Sequence, residues 1–273
     1  MTLPPDLLLH AQLCAGVIAG CWLLSVLTRE YSWVDRIWSV VPPVYVGVFA
    51  AQAGWGDVRL NVMTLLTTAW GARLTFNFWR KGGYAPGGED YRWAVLRERM
   101  SPALYQVFNV VFIAGYQNVL LLLIALPAWR ARQHPTPMGP LDWALAGLFL
   151  LLLAGETVAD QQQWDFHAHK RARAARGESM DPPFLTTGLW AWSRHPNFFC
   201  EQAQWWVLYA LGARAAGAWL DATLIGAVLL TLLFHGSTNF TEALTLAKYP
   251  GYAERQRSVS RLLPWPPRAQ RAP

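Results

Sequence analysis

The chain has 273 residues, 53% of them hydrophobic and only 15% charged, with 16 tryptophans and a mean hydropathy of +0.17. This is the profile of a polytopic membrane protein rather than a soluble or disordered one. The net charge of +6 calls for no nucleic-acid partner, since anionic lipid and a phosphorylated ligand both account for it.

Windows of roughly 20 residues predict seven membrane spans, at residues 7–27, 34–53, 60–78, 104–126, 141–158, 198–211 and 220–234. The sixth and seventh are short. The first lacks a basic leader and a clear cleavage site, and so reads as a retained span. Its Cys14, Gly16, Gly20 and Cys21 suit close helix packing. Cys14, Cys21 and Cys200 have no metal-ligand spacing, and apolar filling is their expected role.

Asp35 stands at the start of the second span, before Trp38 and Pro42-Pro43. It is either an interfacial carboxylate paired with Arg36 or a desolvated carboxyl that can donate to a buried carbonyl. Spacing alone favours the first. The paired prolines could bend this span and open a pocket. Tryptophans such as Trp38 mark an interface or line a cavity.

The third span carries Trp70, Arg73 and Asn77, and ends in Arg80 and Lys81, so that Arg73, Asn77 and Lys81 form a polar stripe at helical spacing. An arginine at that depth should face protein or water. The loop Gly82-Gly83-Tyr84-Ala85-Pro86-Gly87-Gly88-Glu89-Asp90-Tyr91-Arg92-Trp93 permits tight turns and offers cations for phosphate, without being a Walker loop or a dinucleotide fingerprint. In the fourth span Asn109, Tyr116, Gln117 and Asn118 either bond neighbouring helices or line a substrate cavity, with Tyr116 a proton-donor candidate.

The fifth span is expected to continue as a helix beyond the bilayer. There Glu156, Asp160 and Gln163 share a face, and Lys170, Arg173 and Arg176 follow. His167 and His169, two apart, point to different sides and argue against a shared metal. The densest polar chemistry runs from Ser193-Arg194-His195-Pro196-Asn197 through Glu201 and Gln204 to Trp205-Trp206. Pro196 is placed for a first helical turn, and Asn197, Glu201 and Gln204 then share one face. His235, Asn239 and Glu242 leave the seventh span at helical spacing. The tail from Tyr249 and Tyr252 through Arg255 and Arg257 to Pro266 either lies on the membrane or folds back to close a pocket.

Basic residues alternate between connections. Arg80, Lys81, Arg92, Arg97 and Arg99, then Lys170, Arg171, Arg173, Arg176 and Arg194, and a tail with Lys248, Arg255, Arg257, Arg261, Arg268 and Arg271 fall on one side. Arg59, Arg130, Arg132 and Arg214 fall on the other. The positive-inside rule then predicts an N-terminus outside and a C-terminus in the cytoplasm. The expected organisation is all-α: a single seven-helix domain over residues 1–273, with cytoplasmic loops 80–103 and 159–197 and a tail 235–273.

Gly188-Leu189-Trp190, Ser193 to Phe199, Glu201 and Trp205-Trp206, with the Gly88 to Arg92 loop and the Tyr249 to Pro266 tail, resemble the steroid 5α-reductase family, particularly its bacterial membrane homologues. The resemblance implies seven helices in a bacterial inner membrane, a cytoplasmic mouth, a monomer, and reduction of the conjugated C=C of a 3-oxo-Δ4 steroid or similar lipophilic enone by NADPH. Asp35 takes the place of the family's catalytic glutamate; Glu201 and Asn197 match residues near the nicotinamide. Arg80, Lys81, Asp160, Lys170, Arg173, Arg194, His195, Tyr249 and Arg255 become ribose, phosphate and adenine contacts. Asn77, Asp90, Arg92, Gln163, Ser193, Trp205, His235, Asn239, Glu242 and Tyr252 complete the cofactor set. Trp38, Trp70, Arg73 and Tyr116 are left to the substrate. Trp70 stands where the family's steroid reductases have a tyrosine, and an indole N–H donates but is no useful acid.

Two rivals remain. Membrane methyltransferases that use S-adenosylmethionine share an Arg-His-Pro helix start and a glutamate after it, while a non-catalytic lipid-binding protein would leave Asp35, Arg73, Asn197 and Glu201 as costly polar groups without a task.

Overall fold

The computed structural model describes residues 4–267, whose regular elements are all helices, with no strand among them. Arg268 and Arg271, counted above with the basic tail, lie outside the described residues. The helices are α1 (Pro5–Thr28), α2 (Trp33–Ile37), α3 (Val41–Gln52), α4 (Val58–Arg80), α5 (Tyr91–Glu98), α6 (Pro102–Phe108), α7 (Gln117–Gln133), α8 (Pro140–Ala174), α9 (Pro196–Ala216), α10 (Leu224–Lys248) and α11 (Tyr252–Ser258). A π-helical turn, Asn109–Tyr116, joins α6 to α7, and a short 3-10 turn, Gly188–Ala191, precedes α9.

Among the described residues four helices are long and apolar enough to cross a membrane: α1, the joined Pro102–Gln133 helix, α8 and α10. The remaining three predicted spans do not reach that standard. The second is divided: residues 33–37 form a separate short helix, and α3 starts only at Val41 with 12 residues, about 18 Å of rise against a hydrocarbon core of about 30 Å. Pro42 and Pro43 sit in the first turn of α3, where their missing N–H groups have no helical acceptor, so they start the helix instead of bending it. The third and sixth correspond to α4 and α9, whose 23 and 21 residues are interrupted by Arg59, Arg73, Asn77, Glu201, Gln202 and Gln204. The seventh shifts to Leu224–Lys248. α8, with 35 residues, rises about 52 Å and runs past any bilayer core, as its sequence predicts.

The chain divides into two compact units, one comprising Met1–Ala146 with Leu208–Ala227, the other Gly147–Val207 with Val228–Pro273. In the first, Tyr45 and Phe49 of α3, Leu60, Met63 and Trp70 of α4, and Leu120, Leu121 and Ile124 of α7 are fully buried. Close approach makes this packing possible. A Cβ on Gly71 would lie 2.3 Å from the Ser39 carbonyl oxygen, and beside it Ser39 and Thr75 share a 2.7 Å hydroxyl contact. α1 is mostly exposed, with only 17% of its apolar window buried.

In the second unit α9 opens at Pro196, where the fixed φ and missing N–H of proline suit a first turn. Ala159, Trp190, Trp205, Phe234 and Tyr252 are buried here, and the Trp190 indole N–H donates to the Ala159 carbonyl at 3.0 Å. Gly155 leaves room for Cys200, whose Sγ would lie 3.2 Å from an added Cβ. All three cysteines are buried and unbridged.

Candidate functional site

In the first unit the loop between α4 and α5 folds onto the segment around α2. Glu89 accepts from the Tyr31 backbone N–H at 2.5 Å, Ser32 Oγ accepts from the Asp90 N–H at 2.9 Å, and Tyr84 donates to the Arg36 carbonyl at 3.0 Å. Asp90 caps α5 and holds the Arg92 guanidinium in a two-point contact at 2.8 Å. Arg36 does not pair with Asp35. Its guanidinium bonds Glu30 at 2.5 Å and the Gly83 carbonyl at 3.2 Å, because Arg36 is directed at the glycine-rich loop while Asp35 lies next to the side chains of α5.

Asp35 instead accepts from the Trp93 indole N–H at 2.7 Å. Tyr31, Val34, Trp93, Tyr105 and Ile113 form an apolar cluster here, with Trp38, Phe108 and Phe112 packed against it. Burial pushes the Asp35 carboxyl up to about 6, opposed by the charge of Arg92 and the Trp93 hydrogen bond. Asp35 as a whole residue is half-buried. Tyr116 closes the π-helical turn and stacks on Phe112 at 5.4 Å; such turns accompany functional sites with some frequency. Trp70 is fully buried. Arg73 lies one turn further along α4, and Asn77 accepts from Arg80 Nε at 2.9 Å, just before Lys81 caps the helix.

The second unit places the Ser193–Asn197 stretch at the centre of a polar network. Glu242 receives Arg194 at 2.7 and 3.1 Å, His195 Nε2 at 2.9 Å and Gln256 at 3.0 Å. Arg194 also donates to the carbonyls of Gln256 and Val259 at 2.8 and 2.6 Å. Backbone bonds run from Arg194 to Ser260 and from His195 to Arg261, at 2.8 and 3.0 Å, and Ser193 Oγ reaches Leu262 at 2.8 Å. Arg255 donates to the Trp190 carbonyl. The tail therefore folds back over the start of α9, the second of the two placements open to it from the sequence.

One turn into α9, Asn197 donates to Asp160 at 3.2 Å, while its own carbonyl oxygen is buried without a donor. Gln204 donates to Glu156 at 2.7 Å; Glu201 and Trp205 are buried on the same helix. Lys170 donates to Tyr249 at 3.1 Å and to the Pro183 carbonyl at 2.5 Å, and that bond holds the Tyr249 hydroxyl below its usual range. Arg173 pairs with Glu178 at 3.0 Å. Burial pushes the Tyr252 hydroxyl up to about 12. Gln163 is half-buried, whereas His235 and Asn239 are exposed, outside the Glu242 network.

The structure thus gathers Asp160 with Asn197, and Ser193, Arg194, His195 and Glu242 with the tail. Asp35 and Tyr116 belong to the first unit and Glu201 to the second. Sequence reasoning missed Trp93 and Gln256. Trp93 is one tryptophan among 16, marked only by its place after the Glu89-Asp90 pair, and nothing local distinguishes Gln256.

The family described as protein of unknown function (DUF1295) matches residues 21–259. An uncharacterized protein of Schizosaccharomyces pombe is 36% identical over 260 residues, covering 89% of this chain and 75% of its own length. No solved structure matches. The chain therefore belongs to the DUF1295 family, and this match over most of its length corrects its assignment to the steroid 5α-reductase family. Short motifs such as Arg-His-Pro at a helix entry carried that assignment, and they solve a local problem of helix starts that several membrane families share.

Proposed function

We propose that this DUF1295 member is a membrane enzyme that uses NADPH to saturate the conjugated C=C bond of a lipophilic enone. Asp35 carries the reading. A carboxyl whose pKa is raised to about 6 by burial keeps a protonated fraction at neutral pH, and it lies beside the apolar cluster of Tyr31, Val34, Trp93, Tyr105 and Ile113. Its O–H can donate to a substrate carbonyl and stabilise the enolate oxygen as charge develops there. Trp93 fixes the orientation of the carboxyl by its 2.7 Å bond, and the aromatic surroundings of Trp38 suit an apolar substrate.

The donor set is compatible with the cofactor. The buried carbonyl oxygen of Asn197 has no donor, and a carboxamide N–H₂ is one. Lys170 and Arg173 offer cations for phosphate oxygens and Tyr249 an aromatic face. NADPH when bound supplies the hydride. Arg194, His195 and Glu242 are assigned to the framework that orients the start of α9, since most of their polar atoms are engaged within the protein. The reading also takes seven passes in a bacterial inner membrane, the N-terminus outside, basic loops 80–103 and 159–197 in the cytoplasm, and a monomer without nucleic acid. Alternation of basic residues between connections supports that orientation.

Detergent-purified protein with NADPH and progesterone, a 3-oxo-Δ4 steroid, tests the reading. The expected result is NADPH oxidation with a product two hydrogens heavier, lost in Asp35→Asn and Glu201→Gln. NADPH binding without turnover would leave the cofactor in place and discard this enone. Binding of S-adenosylmethionine in place of NADPH would replace the reading with methyl transfer, and binding of neither would favour a lipid-binding protein.

A further inference from the structure

α1 buries polar and thiol side chains and exposes apolar ones. Its buried residues are His10, Cys14, Cys21 and Ser25, which recur at helical spacing and so share one face, whereas Leu8, Leu9, Leu23 and Leu27 are exposed. From His10 to Ser25 this face runs about 22 Å. It meets α7 and the π-helical turn within the first unit. His10 Nε2 donates to the Tyr45 carbonyl of α3 at 3.1 Å, and its ring stacks on Phe49 at 3.6 Å. Cys14 Sγ donates to the Asn118 carbonyl at 3.6 Å, Asn118 Nδ2 to the Ala114 carbonyl at 2.8 Å, and Asn109 Nδ2 to Ser25 Oγ at 2.8 Å.

These bonds leave one polar atom over at each step. His10 Nδ1, the Tyr45 hydroxyl and the side-chain oxygens of Asn118 and Asn109 have no hydrogen-bond partner, on residues that are 0% or 1% exposed. The thiols of Cys14 and Cys21 approach Tyr45 and Asn118, but a thiol is a weak donor. Unmet groups at such burial are costly. With the proton on His10 Nε2, three of the four unmet atoms only accept, and the hydroxyl can also donate. An anion brings no donor, and a cation finds no carboxylate between His10 and Ser25 on α1 to balance it. Water both donates and accepts, and meets all four. The side chains between these atoms, Cys14, Cys21 and Ala114, are small.

Each end of the face has a carboxyl neighbour. One turn before His10, the half-buried Asp6 accepts from Trp129 Nε1 at 2.8 Å and from Arg132 at 3.0 Å. Toward the other end, Cys21 is close enough to Asp35 to feel its charge. Ile113, one turn beyond Asn109, packs in the cluster that holds Trp93, the partner of Asp35. Polar groups in series inside membrane helices mark proton relays.

We infer that this face of α1 binds a file of water that leads from Asp6 toward Asp35 and resupplies protons there. The water sites stand apart from the reductase reading. The proton supply rests on it, because each turnover adds a hydride from NADPH and a proton to the C=C bond, and solvent must replace that proton. Infrared spectroscopy of detergent-purified Cys200→Ala after transfer to D2O reads the S–H band of Cys14 and Cys21 alone. Exchange to S–D should be at least about tenfold faster than in Leu60→Cys made with the native cysteines replaced by alanine, since position 60 lies in the apolar core. Asn118→Leu should slow the exchange about tenfold, and Tyr45→Phe, which keeps the ring, should act in the same direction. Exchange no faster than that of the reference thiol, or indifferent to both variants, would overturn the water file. With progesterone, Tyr45→Phe should lower kcat several-fold at unchanged KM for NADPH; an unchanged kcat would overturn the proton supply. A parent protein that oxidises no NADPH would sink the reductase reading and the supply with it, while thiol exchange would still decide the water file.

Discussion

Asp35 and Glu242 are both carboxyl groups whose charged form is penalised by burial, yet the two units treat them differently. Glu242 is met by a guanidinium, an imidazole and an amide. Asp35 is met by a neutral indole N–H, with the nearest guanidinium, Arg92, held in a two-point contact by Asp90. A buried carboxylate satisfied on all sides fixes architecture, here the return of the tail onto the start of α9. One whose cation is committed elsewhere keeps its proton to higher pH and can do chemistry.

The most disruptive way to break this contrast is Glu242→Gln. It leaves the Arg194 guanidinium buried without its counter-charge, and a loss of about 3–5 kcal/mol is expected, read as a lower melting temperature in detergent and as faster proteolysis after residue 248. Asp35→Asn should do the reverse, removing about a hundredfold or more of enone reduction while the melting temperature at neutral pH holds or rises. If Asp35→Asn unfolds the protein, Asp35 belongs with Glu242 as framework.

The pH dependence sharpens the difference. The folded-state pKa of Asp35 lies above its ordinary value of 3.8, so the folded state binds this proton more tightly than the unfolded chain does. Its contribution is fully present below the ordinary value and is lost as pH rises from about 4 to about 6. Melting temperatures of the parent protein should fall over that window relative to those of Asp35→Asn. Reduction should weaken as pH rises through about 6, because the protonated carboxyl disappears. The smallest change is Trp93→Phe. It removes the one indole bond that lowers the Asp35 pKa, costs about 1 kcal/mol, and should move the pH profile of activity upward.

The parts of this arrangement that were legible in the sequence are those set by local physics. The entry of α9 at Pro196 follows from fixed φ at a first turn, and the length of α8 follows from a continuous helical pattern. The grouping of Asn197, Glu201 and Gln204 on one helix follows from 3.6-residue spacing. The partner of Asp35 was not legible. Arg36 is adjacent in sequence, but adjacent residues on a helix point apart, and Trp93 reaches the carboxyl from 58 positions away. Span counting failed for a related reason: α4 and α9 bury their polar residues against protein, so hydropathy alone does not distinguish a shielded membrane helix from one that never crosses.

By itself the sequence determined that the chain is helical, with stretches long and apolar enough to cross a membrane, where its polar stretches start and stop, and which side chains share a helix face, because composition and periodicity are properties of a few consecutive residues. The tertiary structure decided which carboxyl is saturated by partners and which has its pKa raised by burial, and that the tail returns to the Ser193–His195 segment. Each of these depends on groups far apart in the chain, whose meeting is set by helix packing and carries no local signal.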